Sequence, residues 1–594
     1  MTRKQLKKGR TAAILMAVML AMTGASGCGS RSSSQTGTSS SAAESGEKAT
    51  DSQAGESTSA VDTEFTDRDK DGSYSESDAV RINLNGSQAE AEGKNVSVSG
   101  STVTISGEGT YLVTGTLENG RIIVDAADTD KVQIVLKDAD IHCETSAAIY
   151  VKEADKAFIT LAEGSSNKLS GGAEYTDTDD NTVDGVIFSK ADLTVNGSGN
   201  LEIDADYKHG IVSKDTLAVT GGTITVDAVS QCLSGKDGIK ILDGTFLLTA
   251  QGKAVKSDNA DDTTLGNIYV AGGVFTVKSE DDAFHAGGSI RVDGGTFTVE
   301  SGDDAFHGDQ DVTVNGGTLS VKKSNEGIEG CRVTINGGDI SITAEDDGVN
   351  AANPNSSNDP DARDGGQEGR QKGMPPEGQM PERGNSTEDG RTRTDIPQPQ
   401  EGTNGETASE GGPRPGGMGG GGSMENDANA YVKITGGTLT VDAGGDGLDS
   451  NGSLFISGGT VYVSGSVNGG NSAIDYNGDG IITGGMVIAA GSSGMAQGFG
   501  DSSSQYSILQ NLTGEQEAGN AITLTDEDGN VLISWTPQKR YSSVVVSCPE
   551  LQKSGIYTLT AGSESAELTL ESVVTSNSVP GQGGPGGMGP GTGR

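Results

Sequence analysis

A small residue followed by an apolar one, with a polar or charged residue beside them, recurs down most of this 594-residue chain. The pair stands at Ala148-Ile149, Gly185-Val186, Gly210-Ile211, Cys232-Leu233, Ala254-Val255, Ala283-Phe284, Ala305-Phe306, Gly327-Ile328, Gly348-Val349, Gly447-Leu448 and Ala473-Ile474. Several steps are 22 residues and one is 21. The longest, from Gly348 to Gly447, is 99, and excising about 77 residues of Pro/Gly/Gln/Arg-rich sequence restores 22. A period of this length predicts one structural unit stacked many times.

Within the units, short alternating runs such as VFTV at Val274, TFTV at Thr296, TLSV at Thr318 and TLTV at Thr438 each follow a Gly-Gly turn. β-Branched residues in such runs, bounded by Gly, Asn and Asp, read as strands and turns. Two or three short strands per 22 residues make one coil of a parallel β-helix. The fold class is therefore all-β, a parallel β-helix of about 22-residue coils. Leucine-rich repeats and nine-residue calcium rolls do not fit the pattern. All 14 prolines fall after residue 353, nine of them between Pro354 and Pro415. Their absence from 1–353 and 430–536 suits a continuous ladder, which proline cannot join for want of an N–H.

The pattern divides the chain. A leader with a lipobox-like Ala25-Ser26-Gly27-Cys28 occupies 1–28, and 29–62 is a Ser/Thr-rich tether. The β-helix is expected over 63–502, interrupted by a disordered insertion at 353–430. A small β module follows at 503–576, capping the last coil, and a Gly/Pro-rich tail at 577–594. Lipidation of Cys28 would anchor the protein on the outer face of a bacterial membrane, as a monomer on its tether. Cys143, Cys232 and Cys331 lie too many coils apart for mutual disulfides. The net charge of −43 argues against nucleic acid as a partner.

Stacking places equivalent residues in columns. The residue before the small one gives Asp184, His209, Gln231, Lys253, Asp282, Asp304, Glu326, Asp347, Asp446 and Ser472. The residue after the apolar one gives Ile187, Val212, Ser234, Lys256, His285, His307, Glu329, Asn350, Asp449 and Asp475. Both flanking columns are expected to point outward. Acids spaced about 5 Å apart repel by roughly 1 kcal/mol per pair even in water. Asp281, Asp303 and Asp346 stand beside Asp282, Asp304, Glu326, Asp347 and Asp446 and add to this. Calcium, a hard cation for carboxylate oxygens, is the expected cofactor. The other reading is of turn carboxylates that hydrogen-bond local N–H groups.

Asp67-x-Asp69-x-Asp71-Gly72-x5-Asp78 has the spacing of a calcium loop without helices around it. Asp475, Asn477 and Asp479 hold the first positions of a second such loop, whose twelfth is Met486. His285 and His307 are neighbours in one column, suited to a transition metal or to sugar hydroxyls. Lys253 and Lys256, one coil before, suit either charge pairing or the base of a uronate β-elimination. No Ser-His-Asp arrangement and no zinc-spaced Cys/His cluster is evident.

The stretches FTDRDKDGSYSESDAV at Phe65, the DDAFH and DDG units, FGDSSSQYSIL at Phe499 and YSSVVVS at Tyr541 resemble a clostridial family of secreted, calcium-binding carbohydrate-binding proteins with a pectate-lyase-like fold. The resemblance implies a right-handed parallel β-helix, bound calcium and plant-polysaccharide binding without established catalysis. It also makes the Asp67 stretch a family motif more than an ion loop. With 4% aromatic residues, polar, cation-assisted recognition fits better than stacking on flat glucan. The main expectation is thus calcium-dependent binding of an acidic plant polysaccharide, with Lys253, Lys256, His285 and His307 meeting the ligand. A calcium-dependent polyuronate lyase and a structural or adhesive envelope protein are the alternatives.

Overall fold

The computed structural model describes residues 61–177, 179, 181–354 and 426–577. The leader, Cys28, nearly all of the tether, most of the insertion and all but the first residue of the tail lie outside them.

Among the described residues there is one short helix, Asp67–Lys70; the other elements are strands. Forty strands join in one sheet and four form a second. The large sheet is mostly parallel, because each strand pairs with its counterpart one repeat later. One ladder runs Ile187, Ile211, Leu233, Val255, Phe284, Phe306, Ile328, Val349, Leu448. A second runs Leu217, Ile239, Ile268, Ile290, Val312, Val333, Val432, Leu454. A third runs Leu201, Ile224, Phe246, Phe275, Phe297, Leu319, Ile340, Leu439, Val461, Val487.

The alternation of side chains along a strand explains why these positions are the core. In Val274–Ser279, Phe275 and Val277 are buried while Val274 and Lys278 are exposed. Parallel register then stacks like on like. Phe246, Phe275 and Phe297 lie ring on ring at 4.6 Å, and Phe284 lies on Phe306 at 4.9 Å. Each buried phenylalanine contributes about 1.5–3 kcal/mol by leaving water. The Gly-Gly turns are demanded by backbone shape. The second glycine has φ of 110° at Gly273 and 108° at Gly295, where L side chains are strained.

The turn between the first and second ladders varies in length. It is short from Phe284–Ala286 to Ile290–Val292. It lengthens between Val255–Ser257 and Asn267–Val270, where the repeat step is 29 residues in place of 22. It is longest between Val349–Ala351 and Tyr431–Ile434, which is where the long insertion leaves and returns. There Asn353 donates to Asp427 at 2.8 Å, so the two ends of the insertion meet.

The last strand of the third ladder, Met486–Gly491, is covered by Tyr541–Ser547 in antiparallel register. This closes an edge that would otherwise offer unpaired N–H and C=O groups. The separate sheet is antiparallel and contains Ile522–Asp526, Val531–Trp535, Ile556–Ala561 and Glu564–Thr569. Its side chains share a second core with Tyr541, Val544 and Val546. Cys143, Cys232, Cys331 and Cys548 are free thiols.

Candidate functional site

The register brings the second column together as read from the sequence: Ser234, Lys256, His285, His307, Glu329, Asn350 and Asp449 pair one after another. The first column differs from expectation in orientation. Asp282 is 1% exposed and Asp304 5%, so these carboxylates turn inward rather than to solvent. The reason is a ladder of side-chain to backbone hydrogen bonds. Asp282 accepts the N–H of Asp304 at 3.2 Å, and Asp304 accepts that of Glu326 at 3.3 Å. Asp347 accepts the N–H of Asp446 at 2.5 Å, and Asp446 accepts that of Ser472. Each acid thus satisfies the donor at its own position one repeat later.

The remaining oxygens in the middle of the column are met by lysine and histidine side chains. Lys253 reaches Asp282 at 2.6 Å and Asp281 at 3.0 Å. His285 Nδ1 meets Asp282 at 2.8 Å, and His307 Nδ1 meets Asp304 at 2.8 Å and Glu329 at 2.5 Å. The two imidazoles stack at 4.9 Å with 22° between planes, and Asp309 lies 3.2 Å from His307 Nε2.

These contacts set the protonation states. Burial opposes charge on Asp282, but His285 and Lys253 hold its carboxyl well below the usual range. Burial works against the His307 cation, yet Asp304, Asp309 and Glu329 together keep it protonated far above its ordinary value. Burial and then the neighbouring acids push Asp304 and Glu326 well up, against hydrogen bonds from His307 and Asn350. Lys253 is penalised by burial and raised more strongly by Asp282 and Asp281, so it stays an ammonium. Asp303 and Asp346 lie exposed at the rim.

Further along the column the compensation changes. Ligand oxygens of Asp446, Asp449 and Asp475 lie within 4.8 Å of one another. Among the described residues no lysine, arginine or histidine pairs with any of them. Burial pushes Asp446 up to about 7, with Asp475 and Asp346 adding to the rise. Burial, then Asp347, Asp446 and Asp475, push Asp449 well above its usual value, and burial raises Asp475 too. Three carboxylates without a counter-charge are a donor set that fits a hard cation. The Asp475 loop does not close on itself as its spacing suggested. Asp475 joins Asp446 and Asp449, Asn477 donates to Asn451 at 3.3 Å, and Asp479 is exposed. Sequence reasoning placed Asp449 in its column without counting it as a ligand, and placed Glu329 beside His307 without seeing the contact.

The Asp67 stretch is a docking segment. Thr66 and Asp69 form a reciprocal cap on the short helix, and Asp69 is buried against Lys156 at 2.8 Å and Thr194 at 2.6 Å. Lys156 fills the place that an ion would take on Asp69. Asn196 and Thr220 donate to the Asp69 carbonyl at 3.2 and 2.7 Å, tying the segment to the second ladder.

N-terminal to the acidic stretch, the same face opens into a cleft of about 310 Å³ lined by His209, Lys214, Gln231, Ser234, Lys256 and Asp261 among others. Sequence reasoning singled out only Lys256 here. The signal available was the 29-residue step, because the extra residues build one wall.

Residues 99–359 match the family model of carbohydrate-binding domain-containing proteins. The matched span contains the cleft and the Lys253–His307 cluster. A carbohydrate-binding domain-containing protein of Acetivibrio thermocellus is 38% identical over 128 residues, covering 21% of this chain and 45% of the relative. The chain thus spans about half of that relative's length. A solved polysaccharide lyase-like protein from C. thermocellum, determined as a gadolinium derivative, is 31% identical over 38% of this chain and 92% of its own, with a TM-score of 0.37.

Proposed function

We propose that this chain is a non-catalytic, cell-surface carbohydrate-binding protein that takes an acidic plant polysaccharide along one face of a right-handed parallel β-helix. In this reading the helix spans 63–502, a β module at 503–576 caps it, and Cys28 carries the lipid anchor. The observation that carries the proposal is the straight row Ser234, Lys256, His285, His307, Glu329, Asn350, Asp449 within a segment that largely matches carbohydrate-binding proteins. Polar side chains repeated at about 4.8 Å form a track that suits a linear polymer better than a compact ligand.

Calcium belongs to the proposal at Asp446, Asp449 and Asp475, where it would neutralise carboxylates and present a positive centre to a uronate. The Asp282 and Asp304 end of the column is already contacted by Lys253, His285 and His307. A lyase using Lys253 as base is disfavoured, because an ammonium held by two carboxylates has no lone pair to take a proton. The test is retention of the full chain on polygalacturonate and on neutral glucan, with and without chelator, at one ionic strength. The expected result is retention on polygalacturonate that falls on chelation and weaker, chelator-insensitive retention on glucan. No retention on either polymer would favour an envelope protein without a sugar ligand.

A further inference from the structure

The unit Asp281-Asp282-Ala283-Phe284-His285 returns 22 residues later as Asp303-Asp304-Ala305-Phe306-His307. Parallel register sets Phe284 beside Phe306 and His285 beside His307, so the two imidazoles stack at 4.9 Å. Both rings are fixed in the same way. Nδ1 of His285 meets Asp282 at 2.8 Å, and Nδ1 of His307 meets Asp304 at 2.8 Å. A carboxylate against Nδ1 keeps a proton there, sets the plane of the ring and makes Nε2 the nitrogen for a further partner.

Nε2 of His285 has no partner among the described residues. Nε2 of His307 meets Asp309 at 3.2 Å. Asp309 lies two residues on in the strand Phe306–Val314, so it shares a face with His307. Its side chain is 44% exposed and has no other partner among the described residues. Burial opposes charge on Asp309, but the hydrogen bond and charge of His307, then the charges of His285 and Lys253, hold its carboxyl below the ordinary value. Both rings therefore act on one ionised carboxylate.

Two imidazoles and a carboxylate suit zinc and its neighbours, whereas calcium takes oxygen ligands throughout. Carboxylates crowd the same place. Asp304 and Glu329 lie on His307 Nδ1, and Asp281 and Asp303 group with Asp282. Their summed charge favours a cation.

We infer that His285 Nε2, His307 Nε2 and the Asp309 carboxylate bind one divalent cation of the zinc class, with a further coordination position open to water. Asp282 and Asp304 are positioning residues behind the two rings. The ion takes the place of the proton on His307 Nε2, which leaves to solvent. The carboxylates that hold the imidazolium then hold the charge of the ion. Zinc–nitrogen bonds of about 2.0–2.1 Å require the ring edges to lean together by roughly 1–1.5 Å from the stacking distance. The site goes beyond the carbohydrate-binding reading and does not depend on it.

The experiment is calorimetric titration of the full chain with zinc chloride, after stripping with chelator and return to excess calcium, which fills sites made of carboxylates alone. The expected result is one saturable zinc ion per chain, bound at least tenfold more weakly by His285→Gln and by Asp309→Asn. Cobalt(II) in place of zinc should give visible absorption bands in wild type that both variants lose. His142→Gln, whose ring lies against Ser170 and Glu144, serves as the unaffected control. Melting temperatures without zinc establish that the variants are folded; Asp309, being half exposed, tests the site even if His285→Gln is destabilised. Absence of saturable zinc binding in excess calcium overturns the inference, as does wild-type affinity in Asp309→Asn. Loss of zinc binding in Asp446→Asn equal to that in Asp309→Asn also overturns it, because the ion would then sit on the far carboxylates. If zinc binds as expected and the chain is not retained on polygalacturonate, the inference stands and the proposed function falls.

Discussion

Asp282 accepts the backbone N–H of Asp304 at 3.2 Å, and Asp304 is the residue at the same position one repeat later. An acidic side chain thus belongs to the scaffold as a turn ligand for its neighbour. The same carboxylate also holds Lys253 and His285, so this acid of the column is satisfied where Asp446 and Asp449 are not.

Removing that carboxylate should be costly. Asp282→Ala leaves Lys253 buried without its closest partner and orphans the Asp304 N–H. Breaking a buried ion pair by deleting one partner typically costs about 3–5 kcal/mol. Asp282→Asn keeps an acceptor for the N–H and should cost less. Urea denaturation of both variants reads the difference; equal stability of Asp282→Ala and wild type would remove the carboxylate from any structural role.

The docking segment predicts a pH dependence. Burial penalises the Asp69 charge, but Lys156, Thr194 and Thr66 outweigh it and hold the carboxyl at about 2, below the ordinary 3.8. A depressed folded value means stability that is present above the unfolded value, near pH 4, and lost as pH falls through about 2. The contribution is about 2 kcal/mol. Denaturation between pH 6 and 2 should show wild type losing this advantage over Asp69→Asn across that window. A constant gap between the two proteins would mean that Asp69 does not titrate with folding.

Chelation should destabilise the far end of the column. A ligand at a hundred times its Kd raises stability by about 2.7 kcal/mol when it binds only the native state. Melting temperature should therefore rise with calcium in wild type and respond less in Asp446→Asn or Asp449→Asn. Elemental analysis that finds no calcium, with melting curves identical in chelator, would leave these carboxylates without a cation.

The long insertion should be dispensable for folding. Val349 pairs with Leu448 and Arg332 with Tyr431, so the ladders close across it. Replacing 355–425 by a short Gly/Ser linker should leave a cooperative transition, stabilised by no more than about 2 kcal/mol, because loop-closure entropy changes by only about 0.6 kcal/mol per halving of length. Loss of cooperative unfolding in the deletion would assign the segment a structural part.

The aromatic stack offers a test of the core. Phe275 lies between Phe246 and Phe297 at 4.6 Å on each side. Phe275→Ala opens a cavity that the ladder strands cannot collapse into, at a cost of about 3–5 kcal/mol. A cost below 1 kcal/mol by equilibrium denaturation would show that the neighbouring rings close the gap.

Period and register were readable from residues alone. Alternation along a strand is a local property, and Gly-Gly marks a turn whose positive φ only glycine meets without strain, so Val274, Thr296 and Thr318 announced their own ladder. The row Lys256, His285, His307, Glu329 followed from counting. Direction and company did not. Whether Asp282 faces water or turns inward depends on an N–H that belongs to another repeat. Whether Lys253 is a ligand residue or a counter-ion depends on the reach of its side chain toward Asp281 and Asp282. Asp67 and Asp69 had the spacing of an ion loop until Lys156, distant in sequence, occupied Asp69. The cleft at His209 and Lys214 exists because an excursion of one repeat folds over the floor of two others. Spacing along the chain sets which residues share a column; charge balance and hydrogen bonding between columns, which act through space, set what each of them does.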